Sequence, residues 1–407
     1  MSAKPTSTGD DDPDEAATAT STSGKNSNLS SAKHAKNDEF YTQWADIERE
    51  INAYLEYDPD VFRGKTVLLP CDDPEWSNFT KFFALHFGDY GLKKLISTSF
   101  APDSKPASLT FQPSLFETQA AQYDEHKTRA NGKMFVLGVK DMNGDGVINI
   151  EDLEWQYLQG DGDFRRDEVT ALRDQADIIV TNPPFSLFRE FLAWLIDGGV
   201  RFSIIGTRNA ITYRDVFPLI MANEIWLGKG FAKGDAYFRV PESAKNSYAL
   251  GVYDPKTQLV HFRNTTWLTN MDHGRRHEPL SLMAMEDNVK FSKHKSVRGI
   301  GYHAYDNFDA IEVPYTDAIP SDYDGVMGVP ITFLDKYNPD QFEIIGNGQT
   351  TADEIGIRPV GQEFVDAYYA QGNKGQINAK WNNLVYRIGE KVVVPYQRIL
   401  IRRKVSS

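Results

Sequence analysis

The chain has 407 residues with 41% hydrophobic and 25% charged positions, so at roughly 150 residues per domain it holds two or three folding units and is no peptide-sized scaffold. No apolar run nears the ~18 residues of a spanning helix, the single cysteine Cys71 cannot form an internal disulfide, and no signal-like segment opens the sequence, so a cytoplasmic protein without a membrane partner is expected. Lys+Arg 44 against Asp+Glu 57 gives a formal charge of −13, which leaves any nucleic-acid contact to a local basic stripe and not to the field of the whole molecule.

Residues 1–37 contain no Val, Ile, Phe, Trp or Tyr; they cannot bury enough apolar area to offset ordering entropy and are expected to form a disordered tail. From Asp38 the pattern changes. Trp44, Ile47, Ile51 and Leu55 recur at three- and four-residue spacing, which predicts a helix ending before Pro59. Residues 66–69 read as a short buried strand, 70–77 as a turn-rich loop, 79–87 as a helix stopped by Gly88, and 92–96 as a second strand. Residues from about 101 to 160 look like an insertion, its first part weakly periodic and followed by the apolar run 134–139. A helix over 167–175 leads into a strand at 177–180. After Thr181-Asn182-Pro183-Pro184-Phe185 comes a helix with Leu187/Phe188, Phe191/Leu192 and Leu195/Ile196 on one face, then Gly198-Gly199 and a strand at 202–205. Strand, helix and strand with short links make a βαβ unit, hence a parallel sheet with ligands at the carboxyl ends of its strands. The expectation is an α/β catalytic domain over 38–227 and, beyond about 228, an aromatic- and turn-rich mixed α+β region with short strands near 237–240, 259–262, 342–345 and 392–394.

Asn182-Pro183-Pro184-Phe185 stands directly after an apolar strand and directly before a helix. Two successive prolines remove two backbone donors, so carbonyls there can act as acceptors without a competing N–H. The Asn182 side-chain oxygen and the Pro183 carbonyl could together accept both hydrogens of an exocyclic amine, with Phe185 stacked on the ring that carries it. The plainer alternative is a helix start in which the prolines supply the first turn and Ser186 caps.

With these residues in view, the sequence is similar to the amino-methylating S-adenosylmethionine-dependent DNA methyltransferases, and specifically resembles the EcoRI-type adenine-N6 modification methylases from about Asp38 to Lys404. The resemblance is carried by 177–188 around the Asn-Pro-Pro-Phe turn, by Gly160-Asp-Gly-Asp-Phe-Arg165, by 69–79 and by 322–330. It implies a Rossmann-like methyltransferase core with a C-terminal target-recognition region, S-adenosylmethionine as cofactor, and transfer to N6 of a flipped-out adenine in double-stranded DNA. It further implies a monomer with a cognate restriction endonuclease as partner. By the same resemblance Phe40-Tyr41-Thr42 would touch the cofactor's methionine end. Pro70, Cys71, Asp72, Asp73 and Asn78 would lie on its first loop, and Asp163-Phe164 would hold its adenine. Two departures stand out. The loop 70–78 has no glycine, which implies a different geometry with Asp72 or Asp73 meeting the cofactor's ammonium, and Ser97-Thr98-Ser99 replace the acid expected at the ribose. Cytosine N4 in DNA, adenine in RNA and a protein glutamine amide are rival acceptors for such a turn.

A second signal is independent of the first. Asp141, Asn143, Asp145 and Asp152 follow calcium-loop spacing, with Gly146 at the sixth place and Ile148 at the eighth, although Asp152 replaces the usual Glu. A structural Ca²⁺ or Mg²⁺ site and a tight Asn-Gly-Asp-Gly turn are both open, and a calcium-dependent binding module with an inactive transferase-like core is the rival class. Basic residues gather at Arg275-Arg276, at Lys290 to Arg298, and at Arg398 with Arg402-Arg403-Lys404; such clusters suit phosphate contacts and ordinary surfaces alike.

Overall fold

The computed structural model describes residues 40–74, 77–104, 113, 115–231, 235–240 and 251–404; the tail expected at 1–37 lies outside them. The described chain divides into two compact units, the first running to Glu278 and the second starting at Pro279.

The first unit is built on an eight-stranded sheet. Its centre is four parallel strands in the order β3 (Lys94–Ser99), β2 (Thr66–Leu69), β6 (Ile178–Thr181) and β7 (Arg201–Thr207). All four residues of β2 and of β6 are buried, as both faces of a parallel sheet must be, and their β-branched and leucine side chains suit that setting. Between β6 and β7 runs helix α4 (Phe188–Asp197), whose Phe188, Phe191, Leu192 and Leu195 are buried on one stripe. Phe188 lies against Gly206 of β7, where a Cβ would collide with the ring. The mixed α/β expectation and the βαβ unit are both met in this sheet.

The edges hold what the periodicity did not reveal. The expected insertion supplies β4 (Lys133–Leu137) and β5 (Glu154–Tyr157), which extend the β3 edge antiparallel. At the other edge β12 (Thr265–Thr269) pairs antiparallel with β7, and β8 (Trp226–Leu227) pairs with β12. A smaller antiparallel sheet joins β1 (Tyr41–Thr42), β9 (Asp235–Arg239), β11 (Leu259–Arg263) and β10 (Tyr253–Asp254). Residues near 237–240 and 259–262 therefore belong to the first unit, and the division of the chain falls about fifty residues beyond 228. Helix α1 (Trp44–Tyr57) buries Ile47, Ile51 and Tyr54 in the same core as Phe40, Phe238 and Phe262.

The second unit carries a five-stranded sheet ordered β13 (His303–Ala304), β14 (Ile311–Glu312), β15 (Met327–Pro330), β19 (Arg398–Arg403) and β16 (Phe342–Asn347). A hairpin, β17 (Tyr386–Ile388) with β18 (Lys391–Val393), packs with the helix Gln362–Ala370 around Phe364, Tyr368 and Val392. Arg398 is not a surface cation. Its guanidinium forks onto the buried Glu312 carboxylate at 2.6–3.1 Å, and the Tyr305 hydroxyl donates to the same group. Among the described residues no helix is long and apolar enough to cross a membrane.

Candidate active site

From β2 the chain crosses to β3 on one side of the sheet, and from β6 it crosses to β7 on the other. The strand order therefore reverses between the paired strands β2 and β6, and the crevice outside their carboxyl ends is where an open α/β sheet binds ligands. The segments leaving those two ends are 70–78 and 182–185.

Asn182 sits at the mouth of β6. Its Nδ2 donates to the Phe40 carbonyl at 2.8 Å. Because that hydrogen bond identifies the amide nitrogen, the oxygen is aimed the other way, and Asn182 Oδ1 is buried with no partner among the described residues. From the β2 side Asn78 Nδ2 donates to the Thr42 carbonyl at 2.7 Å. Two carboxamides, one from the segment after β6 and one from the helix that follows β2, thus hold the Phe40 and Thr42 carbonyls. Thr42 Oγ1 is a second buried polar atom without a partner among the described residues. The Phe185 ring, half-buried, lies 5.4 Å from Phe40 and within 6.3 Å of Phe238 and Phe262, so the turn rests on an aromatic floor. Pro183 is buried and Pro184 half-buried.

Residues 70–74 leave the end of β2. Cys71 takes the left-handed conformation, φ 69°, which glycine favours, and its N–H donates to Thr98 Oγ1 at 3.3 Å. Asp72 turns inward and is 5% exposed. One carboxyl oxygen accepts from Ser77 Oγ at 2.7 Å and the other lies 2.5 Å from Thr181 Oγ1. Burial pushes this carboxyl up to about 7. Of the two residues expected to meet a cofactor's ammonium, Asp72 has both carboxyl oxygens engaged by the Ser77 and Thr181 hydroxyls, and Asp73 is half-buried in the same loop. Ser97 and Thr98, which stand where a ribose-binding acid was expected, also turn to this loop: Ser97 Oγ donates to the Asp72 carbonyl, and Thr80 Oγ1 donates to it at 2.9 Å.

Glycines lay the 160–164 segment against the end of β3. Gly162 (φ 84°) approaches the Ser99 carbonyl where no Cβ would fit, and Ala101 N–H donates to the Asp161 carbonyl at 2.7 Å. Asp163 is thereby brought to the same end of the sheet. Its carboxylate is held by Arg165, from Nε at 2.9 Å and Nη2 at 2.6 Å, and that guanidinium lowers its pKa. Phe164 is a core residue, 2% exposed between Phe191 and Trp194, which leaves little of its ring for a ligand.

The 141–152 loop is closed on its own backbone. Asp141 accepts from the N–H of Gly144 and Gly146 at 2.6 and 2.8 Å, Asn143 from Asp145 and Asp145 from Val147. Asp152 accepts from Asn149, Met142 and Asn143, bonds that lower its pKa. Among the described residues no three His, Cys, Asp or Glu side chains gather as a metal cluster.

Sequence reasoning missed the hydroxyls of Ser77, Thr80 and Thr181; the signal for Thr181 was a polar residue ending an otherwise apolar strand. It also missed Glu50. This buried carboxylate on α1 accepts from the Lys229 and Gly230 N–H at 2.5 and 2.6 Å and from Ser203 Oγ at 3.0 Å, and burial raises its pKa. It ties α1 to the loop that follows β8.

The fold is of the α/β class, with the segments that follow β2 and β6 converging at the carboxyl ends of a parallel sheet. The family described as adenine-specific methyltransferase EcoRI matches residues 28–404, and the chain belongs to that family. Type II methyltransferase M.EcoRI of Escherichia coli is 42% identical over 318 residues, covering 78% of this chain and 88% of that protein. Type II methyltransferase M.MpnI of Mycoplasma pneumoniae is 33% identical (77% and 83% covered) and M.MgeORF184P of Mycoplasma genitalium 32% identical (77% and 84%). No solved structure matches the chain at a significant level.

Proposed function

We propose that the protein methylates N6 of an adenine flipped out of duplex DNA, with S-adenosylmethionine as donor. In this reading the eight-stranded sheet is a Rossmann-like core and the unit from Pro279 onward reads the target sequence. The observation that carries it is the buried, partnerless Asn182 Oδ1. An unsatisfied acceptor costs roughly 1–3 kcal/mol, and it is retained where a ligand donor completes it. An exocyclic amine offers two hydrogens; Asn182 Oδ1 and the Pro183 carbonyl are the acceptors assigned to them. The second orphan, Thr42 Oγ1, suits a polar group of the donor.

When bound, S-adenosylmethionine supplies an electrophilic methyl on a sulfonium. The chain's own work is on the amine. Adenine N6 is a weak nucleophile because its lone pair is delocalised into the ring; acceptors on both hydrogens favour the pyramidal nitrogen of the transition state and stabilise the positive charge growing there. Flipping costs a few kcal/mol of stacking and pairing, which Phe185 offsets by offering a ring face. Asp73 is assigned to the donor's ammonium, and Asp163 to its adenine once Arg165 is displaced. In this reading a single polypeptide is the acting unit and a cognate restriction endonuclease its partner.

The test is transfer of labelled methyl into duplex DNA, followed by digestion to nucleosides. N6-methyladenine is expected; N4-methylcytosine, or label in RNA or protein only, would replace the assignment. Asn182→Ala should keep donor binding and lose turnover by about 10²-fold or more.

A further inference from the structure

Thr181 and Asp72 raise a question of hydrogen count. Thr181 Oγ1 lies 2.7 Å from the Pro70 carbonyl and 2.5 Å from Asp72 Oδ2. A hydroxyl carries one hydrogen, and a carbonyl can only accept. If the hydrogen goes to Pro70, the contact with an ionised Asp72 sets two lone pairs against each other. If it goes to Asp72, the Pro70 carbonyl faces a bare oxygen. Ser77 cannot supply the missing hydrogen, because its own goes to Asp72 Oδ1 while its oxygen accepts from the Phe79 N–H at 3.1 Å.

We propose that Asp72 is a positioning residue that works as a neutral carboxylic acid, donating from Oδ2 to Thr181 Oγ1 while Thr181 donates to Pro70. Every contact then has one hydrogen. The chain of bonds runs from the loop after β2 into the last residue of β6, one peptide before Asn182, and so locks the two halves of the site in register. The inference rests on the proposed methyl transfer for its consequence, though not for its chemistry.

The surroundings agree. Around Asp72 stand Cys71, Asp73 and Ser77 of its own loop, Thr80 of the helix Asn78–Leu85, Ser97 of β3 and Thr181 of β6. The charge acting on it is that of Asp73, which opposes ionisation, and among the described residues no cation pairs with it. Burial at 5% exposure acts in the same direction. Ionisation would place a second negative charge beside Asp73 and make Oδ2 compete with Pro70 for one hydrogen, loosening the loop assigned to the donor.

Infrared difference spectra of the full chain, wild type minus Asp72→Asn, should show a protonated-carboxyl C=O band at pH 6 that fades as pH rises past 7. The isosteric amide keeps one donor and one acceptor, so Asp72→Asn should fold and bind S-adenosylmethionine without the extra weakening that wild type shows above pH 7, up to about tenfold per unit. Asp72→Ala should lose affinity at every pH. If Asp72→Asn does not fold, Thr181→Val gives the reference, because loss of the acceptor shifts the same band. Absence of the band at pH 6, or the same pH profile in wild type and Asp72→Asn, overturns the inference. The spectrum is indifferent to the methyl acceptor: a band without DNA methylation sinks only the proposed function, and methylation without a band sinks only this assignment.

Discussion

Cys71 holds a backbone conformation that an L-residue adopts at a cost of roughly 1–2 kcal/mol, and it does so where the loop leaves β2 for the site. The bond from its N–H to Thr98 Oγ1 depends on the backbone and not on the thiol. Cys71→Gly therefore removes strain while keeping the turn. Some of that gain is lost to the greater freedom of glycine in the unfolded chain. The expected result is a melting temperature unchanged or raised, by up to about 1 kcal/mol of stability, with methyl transfer retained. A clear fall in melting temperature would mean that the half-buried side chain supplies packing that outweighs the strain. The same residue shows the limit of composition as a guide. A loop without glycine pointed to altered geometry, but which residue would take the left-handed position was not legible, because several of its neighbours could have done so.

At the scale of elements, legibility followed burial pattern. The all-buried strands β2 and β6 and the striped helix α4 stood out because their apolar periods are long enough to be read. Strand β1 has two residues and no period, and it is held by Asn78 and Asn182 from elsewhere in the chain. The 141–152 loop matched calcium spacing because the residues that ligate cations also close Asx turns on a backbone. The join between α4 and β7 is where element packing reaches the chemistry. Phe188 begins the helix three residues after Phe185's own turn starts, and its ring occupies the space above Gly206. In Gly206→Ala the new methyl meets that ring, which is buried and has no free direction to swing. Overpacking of this kind costs about 1–3 kcal/mol, and the shift of Phe188 passes to Pro184 and Phe185. Lower melting temperature together with lower kcat is expected, and the double variant Gly206→Ala, Phe188→Leu should recover part of both. Loss of stability with kcat intact would show that the turn does not depend on this contact.

Across the molecule, the boundary after Glu278 illustrates what a linear reading cannot supply. Strands β9, β11 and β12 resemble those of the second unit in length and composition, and only their pairing with β1 and β7 assigns them to the first. Long-range organisation also sets how stability responds to acid. Asp72 and His273 are both buried in the first unit, and their effects have opposite sign. His273 is pushed down to about 4, chiefly by burial; the Leu227 carbonyl 3.1 Å from Nε2 can only accept, so the neutral ring carries its hydrogen there. Its stabilising contribution is present above the unfolded value near 6.5 and is lost as pH falls toward 4. For Asp72, raised to about 7, the contribution is present below the unfolded value of 3.8 and is lost as pH climbs to 7. Between about pH 4 and 6.5 the folded chain holds one proton more than the unfolded chain at Asp72 and one fewer at His273. Each slope is about 1.4 kcal/mol per pH unit, and the two cancel. Each variant should uncover the other residue. Relative to wild type, urea midpoints of Asp72→Asn should fall as pH drops from 6.5 to 4.5, whereas those of His273→Gln should rise over the same interval. Parallel curves for wild type and Asp72→Asn would mean that the carboxyl is ionised in the folded chain throughout, and the hydrogen-bond arrangement at the end of β6 would then have to be redrawn.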